Sequence, residues 1–475
     1  MKWVGHIMFG RFCAHFLAAL ASLCFAAQAQ AQAPSEAERN QALDLYRRIV
    51  AFDTSVEGGQ TPAMAGYLAE RFRASGFAAE DVHVLPHETT TSLVVRYRGD
   101  GSGGRPILLL AHMDVVPALR SDWQRDPFTL VEESGFFFGR GASDNKSGVA
   151  LIAATFLQLR AEGFTPTRDL IIWFSGDEET SGDTTSALLR DHRGLIGEAE
   201  FALNSDAGGG LLTHEGQATS YFLQTAEKTY ATFTFTARNP GGHSSLPRAD
   251  NAIFDVMDAL ARLRAYHFPV MWNDTTIESF RATGAQIGGA DGAAMLRFAQ
   301  HPGDRRAAAT LSRNPSLVGQ LRTTCVPTML AGGHAENALP QSAIATVNCR
   351  IFPGVAVSDV QAELQRIAEA GVEVAPTAQS FASDASPLRA DIMEALARAV
   401  RANHPSLPLT PSMSAGATDG VFFRAAGIPT YGVSESFMRE EDEFAHGLNE
   451  RNPVASFYNG LTHWRVLVTE LAGRR

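Results

Sequence analysis

The chain has 475 residues, 45% apolar and 19% charged, with a formal charge of -11. It is too long for one typical domain and has the composition of ordinary globular protein. The acidic balance and the lack of a basic stripe or arm speak against a nucleic-acid partner.

The start of the chain reads as an export signal. Lys2 and Arg11 are basic, Phe12 to Ala27 is apolar, and Ala29-Gln30-Ala31-Gln32-Ala33 offers cleavage after Ala29 or Ala31. The apolar run is too short for a comfortable membrane span. Residues 1–31 are assigned to this signal, and its short Ala/Gln-rich end points to a bacterial periplasmic or secreted protein. Cys13 and Cys24 go with it. Cys325 and Cys349 remain, too few for a disulfide scaffold. They lie in two strand-like runs, Leu321 to Leu330 and Ala343 to Phe352, where opposite positions would bring them together.

A helix opens at Ser35, with Glu38 completing a capping-box pattern, and a second opens at Thr61-Pro62. Short strands follow at Val82 to Leu85 and Ser92 to Tyr97. The apolar run Leu108-Leu109-Leu110 suits a strand buried on both faces. It ends in His112-Met113-Asp114. Residues two apart on a strand point the same way. Asp114 can therefore orient His112 towards a metal, or the two make a structural hydrogen bond. The Gly-rich turn 139–148 lacks the Gly-Lys-Ser/Thr ending of a phosphate loop. It presents Asp144 near a helix start, where an acid alone reads as a cap. A buried strand Leu170 to Phe174 runs into Asp177-Glu178-Glu179. Adjacent acids repel unless cations hold them, and open α/β sheets bind ligands at the carboxyl ends of their strands. Asp206 follows another short strand, Phe201 to Asn204. Strands alternating with helices imply an α/β domain with a mainly parallel twisted sheet flanked by helices.

The pattern changes beyond residue 224. Tyr230 to Ala237 alternates as a half-exposed strand, Asn251 to Tyr266 is an amphipathic helix, and Phe268 to Pro315 reads as polar and irregular. Residues 225–353 are assigned to a smaller inserted α+β domain, with the catalytic domain in two parts, 34–224 and 354–475. The second part starts with a helix from Val357 to Ala370 and contains the acidic loop 441–450, which holds His446.

Taken together and in order, these segments resemble the di-zinc exopeptidase family of glutamate carboxypeptidase, carboxypeptidase S, aminoacylase and succinyl-diaminopimelate desuccinylase. Asn337-Ala338-Leu339-Pro340 and Val347-Asn348-Cys349-Arg350-Ile351 look most like the carboxypeptidase S branch. The resemblance implies that Asp144 bridges two Zn2+, for which Co2+ or Mn2+ can substitute. His112 and Asp206 would complete one metal's ligands, and Glu179 and His446 the other's. It implies Glu178 as general base, Asp114 orienting His112, and a cis peptide at Asp144-Asn145. His243, in Gly241-Gly242-His243-Ser244, would face the oxyanion from the inserted lid. Arg350, Asn337, Gly416 and Thr418 would hold the substrate. The implied activity is removal of a C-terminal amino acid from a short peptide, with N-acyl amino acid hydrolysis as the alternative and an inactive peptide-binding protein as a reading from another class. The resemblance also raises a homodimer through the inserted domain, unless residues 268–315 cover that surface.

Overall fold

The structure, a computed structural model, describes residues 33–474. The assigned signal, 1–31, lies outside them. The Ser35 capping box is formed: Ser35 Oγ accepts from the Glu38 N–H, and the Glu38 carboxylate accepts from the Ser35 N–H.

The larger domain is built on a 10-stranded, mostly parallel sheet. At its centre, Ile107–His112 lies parallel to Leu170–Ser175 on one side and to Phe201–Asn204 on the other. All six residues of the first two strands are buried, as their unbroken apolar runs require. Alternate side chains feed two separate cores. Ile107, Leu109 and Ala111 join the core under helices Lys146–Ala161 and Val454–Ala472. Leu108 and Leu110 join a smaller core on the other face with Leu188 and Phe423.

The smaller domain is an antiparallel sheet in the order Thr324–Gly332, Ser342–Ile351, Thr229–Arg238, Val372–Pro376. Helices Ala252–Ala265 and Val357–Ala368 pack on it. This corrects the expected boundary after residue 353. Val360, Leu364, Ile367 and Ala368 form the buried stripe of the second helix and share a core with Val256, Phe233 and Val347. Val372 and Val374 pair with Ala237 and Phe235. The inserted domain therefore runs to about Pro376. Cys325 and Cys349 stand directly opposite each other on paired strands and form a disulfide.

A second correction concerns 268–315, which is helical: Asp274–Ile287, Gly289–Gln300, Arg305–Leu311 and Pro315–Val318. Their caps come from Asn273, Asp304 and Asn314. Phe280, Met295, Phe298, Leu311 and Leu321 give the insert its own small core. The first two helices meet where Gly284 faces Gly292: a Cβ on Gly292 would sit 2.7 Å from the Gly284 carbonyl oxygen. The insert also docks on the larger domain. Thr275 and Thr225 hydroxyls bond at 2.7 Å, and Gln320 Nε2 donates to the Met413 carbonyl at 3.1 Å. Among the described residues, no helix is long and apolar enough to cross a membrane.

One buried acid of this core makes its stability pH-dependent. Glu435 is 3% exposed and accepts a hydrogen bond from the Trp464 indole at 2.8 Å. Burial pushes its carboxyl up to about 7 from 4.5. Between those values the unfolded chain releases the proton while the native chain keeps it, so native stability falls as pH rises through that window. Glu435→Gln removes the titration. Its stability relative to the parent should rise from pH 4.5 to pH 7.5, by on the order of 1–3 kcal/mol. Urea unfolding of both proteins at each pH checks this, and a pH-independent difference between them refutes it.

Candidate metal centre

Two of the parallel strands end level, with His112 opposite Ser175, and the third stops two residues earlier, with Asn204 opposite Leu110. The loops that follow therefore deliver His112, Glu178, Glu179 and Asp206 to one edge of the sheet. Asp114 ties two of these loops together. Its carboxylate oxygens accept the backbone N–H of Glu178 at 3.1 Å and of Glu179 at 2.9 Å. The His112 ring is aimed mainly by the Asp114 carbonyl, 3.0 Å from Nδ1, with the carboxylate 3.5 Å away. Asp114 thus meets His112 mainly through its carbonyl, where the sequence pointed to the carboxylate, and the carboxylate instead holds the turn that carries both glutamates.

Two donor groups result, His112–Asp144–Asp206 and Asp144–Glu179–His446. Asp144 belongs to both. One of its oxygens lies 2.9 Å from His112 Nε2 and the other 3.2 Å from His446 Nε2. Asp206 lies 3.4 Å from His112 Nε2, and Glu179 lies 2.9 Å from His446 Nε2. The Asp144-Asn145 peptide is cis. The Asn145 side chain is fixed by the Ser205 hydroxyl at 2.7 Å and the Ser205 carbonyl at 3.3 Å.

Electrostatics show what this cluster lacks. Burial pushes the Asp206 carboxyl up to about 7, opposed by His112. Burial, with the Asp206 charge beside it, holds the Glu178 carboxyl well above the usual carboxylate range. Hydrogen bonds that its ring donates to the Asp144 and Glu179 carboxylates raise His446 to about 10. Acids crowded in this way need compensating positive charge. Imidazole nitrogens and carboxylate oxygens in two sets that share one aspartate fit borderline divalent ions such as zinc, cobalt or manganese.

The cluster opens into a cleft of about 440 Å³ whose walls include Glu178, Phe222, Met413, Gly416, Thr418 and His446. Of the expected substrate contacts, Gly416 and Thr418 are in this wall. Thr418 is, however, already committed: its N–H and its hydroxyl both donate to buried Glu227, at 2.9 and 3.1 Å. Gly416 N–H donates to Ser414 Oγ at 3.0 Å. Arg350 is not in the cleft wall. Its guanidinium lies 4.7 Å from the Tyr230 ring centre and donates to the Ala415 carbonyl at 2.8 Å, reaching from the smaller domain to the same loop. His243 and Asn337 are brought near one another by the short pairing of Gly242–His243 with Ala338–Leu339. Both are exposed, the His243 ring bonds to Ser245 of its own turn, and neither lines the cleft.

Sequence reasoning gave no role to the buried groups behind this site. Glu450 receives five hydrogen bonds, among them those from Ser143 N–H at 2.8 Å and Asp144 N–H at 3.0 Å. Asp419 links the Gly416–Thr418 loop to the strand before Glu178 through Ser175 and to the helix after it through Thr185. Glu227 is paired with buried Arg424. An acid beside a Gly-rich or acidic loop carries no signal of the partner it will meet hundreds of residues away.

Comparison with known proteins agrees with this geometry. The profile of peptidase family M20/M25/M40 matches residues 108–470. N-fatty-acyl-amino acid synthase/hydrolase PM20D1 of Mus musculus is 30% identical over 347 residues, which are 69% of this chain and 66% of that protein, just under two thirds of its length. A probable carboxypeptidase S-like 2 of Dictyostelium discoideum is 25% identical over 77% of this chain and 72% of its own. In fold, the chain resembles the M20 family metallo-carboxypeptidase Sso-CP2 of Sulfolobus solfataricus, with a TM-score of 0.68 and 16% identity over 90% of this chain and 98% of that one. With a family profile spanning most of its length and two donor groups at its strand ends, the chain belongs to peptidase family M20/M25/M40 and is a metal-dependent hydrolase.

Proposed function

We propose that this protein is an exported two-zinc exopeptidase that cleaves the amide bond to the C-terminal amino acid of a short peptide. The observation that carries the reading is the Asp144 carboxylate, whose two oxygens face two different histidines. Two ions held there by His112, Asp206, Glu179, His446 and the shared Asp144 would acidify a water and polarise the scissile carbonyl. Glu178, beside both donor groups in the cleft wall, takes the proton of the attacking water at its carboxylate. As the carbon–nitrogen bond breaks, it gives that proton to the leaving nitrogen, yielding a carboxylate and an amine. Arg350 suits the substrate's terminal carboxylate because a guanidinium matches it two bonds to two; standing outside the cleft wall, it and Asn337 would reach the substrate only when the smaller domain closes or a partner chain presents them, and the Gly416 N–H only on leaving Ser414 Oγ. A second reading, hydrolysis of an N-acyl amino acid, uses the same groups and is favoured by the name of the mouse relative. The intact donor set and Glu178 support catalysis over mere peptide binding.

The deciding experiment is release of free amino acid from a dipeptide panel and an N-acyl amino acid panel, with and without chelator. Activity should vanish on chelation and return with zinc or cobalt; activity indifferent to chelation would overturn the reading. In the same assay Glu178→Gln should keep its metal and lose about 10²–10⁴-fold in turnover, and near-parental turnover in the metal-replete variant would remove Glu178 as the base. Export, read from residues 1–31, predicts a mature periplasmic chain starting just after Ala29 or Ala31; an intact Met1 in the isolated protein would contradict it.

We further propose a homodimer through the inserted domain. Support comes from the edge strand Thr324–Gly332, where Val326, Met329 and Leu330 are exposed, and from the nearby helix Ala252–Ala265, where Phe254 and Met257 are exposed. Apolar sheet edges of this kind invite pairing. The helices of 268–318 leave these residues exposed. His243 would then reach the oxyanion from the partner. His243→Ala should lower turnover roughly 10²–10³-fold with metals retained. Mixing it with Glu178→Gln under subunit exchange should restore activity. No recovery despite exchange would place the histidine's action within its own chain, and full activity of His243→Ala alone would end the oxyanion role.

A further inference from the structure

Glu450 is fully buried, and all five of its hydrogen-bond partners donate. Arg140 Nη1, at 2.7 Å, and Gly141 N–H, at 3.0 Å, share one oxygen. Ser143 N–H and hydroxyl and Asp144 N–H share the other. A carboxylate has the acceptor capacity to satisfy all of these donors, and an amide in its place turns an N–H₂ against them. The loop that carries Asp144 is thus wrapped around a side chain from the opposite end of the chain.

The same residue also closes the loop that carries His446. Arg140, fixed by Glu450, reaches on with Nη2 to the His446 carbonyl at 3.3 Å, and the Glu450 carbonyl accepts from Gly139 N–H at 3.1 Å. Between His446 and Glu450 the backbone needs this support. His446 and Asn449 sit at φ 63° and 55°, left-handed conformations that are uncommon for non-glycine residues and that His and Asn adopt more readily than most. The other donor group is built differently. It shares Asp144, and so leans on Glu450 through that residue alone; His112 ends one buried strand of the central sheet and Asp206 follows another, and their placement does not pass through Glu450.

We propose that Glu450 is a positioning residue that sets the affinity of the metal position built by Asp144, Glu179 and His446, while the position built by His112, Asp144 and Asp206 is largely held by the sheet itself. This rests on the two-metal reading above, and the experiment separates the two. Metal-stripped mature protein is titrated with Co2+, followed by visible absorption and calorimetry. The parent should take two equivalents; fewer would overturn the two-metal reading and this proposal with it. Glu450→Gln should keep the first equivalent and bind the second about 10–100-fold more weakly, the range found when a group behind a metal ligand is removed. A purely structural role would move both equivalents together or neither, and either result overturns the proposal. Should Glu450→Gln fail to fold, Arg140→Lys carries the test. It keeps the charge facing Glu450 but loses the fork that holds the His446 carbonyl, and it should weaken the second equivalent alone. An unchanged second equivalent in that variant overturns the proposal.

Discussion

The fixed register of three buried parallel strands is the constraint on which the rest of the molecule depends. Ile107–His112, Leu170–Ser175 and Phe201–Asn204 are apolar through their length and pair in one register. Slipping any of them along its neighbours would move its loop about 3.3 Å per residue, as far as the 2.9–3.4 Å that separates neighbouring donor atoms. Burial on both faces makes that slip costly, because every side chain of the strand would meet the wrong core. Coordination chemistry thus inherits its precision from packing, and the loops need only be short.

Charge follows from that geometry. Bringing His112, Asp144, Glu178, Glu179 and Asp206 to one edge concentrates negative charge where water is scarce. Besides the two site histidines, the protein sets arginines behind the site. Arg140 meets Glu450 and Arg424 meets Glu227, each pair buried. A buried pair is close to neutral in net stability, but breaking one side leaves an uncompensated charge. These pairs therefore act as fixed geometry: Glu227 holds the Thr418 end of the substrate loop, and Glu450 the Asp144 loop. On the cleft side the acids meet only the two imidazoles among the described residues, and both of these are also metal donors.

How much of this was legible in the sequence divides along physical lines. His112, Asp114, Glu178, Glu179 and Asp206 follow directly on unbroken apolar runs, so their exit from a strand end is a local property. The cysteine pairing was legible for the same reason, since two strands of one small sheet bring them opposite. The domain boundary was not. Val357–Ala368 is an amphipathic helix followed by a short strand, a pattern that fits either domain, and only the partner of its apolar stripe decides. The helices of 268–318 are short, rich in alanine and glycine, and interrupted at Gly288-Gly289. Their caps at Asn273, Asp304 and Asn314-Pro315 were the available signal. Glu450 was hidden among the acids of its own loop.

The helical insert changes the mechanics of the molecule. Without it, the two domains would be joined by two crossings of the chain, near residues 228 and 380, by the Arg350 bond to Ala415 and by the packing of Phe352 on Met413. The insert leaves the smaller domain, touches the larger one at Thr225 and at Met413, and returns. It is a strut set across the hinge. Any swing of the smaller domain must shear a buried hydroxyl pair and a side-chain bond to the strand that forms the cleft wall. Leverage at the far end of the smaller domain is thereby felt at Met413, so a load applied there reaches the floor of the cleft without passing through the hinge.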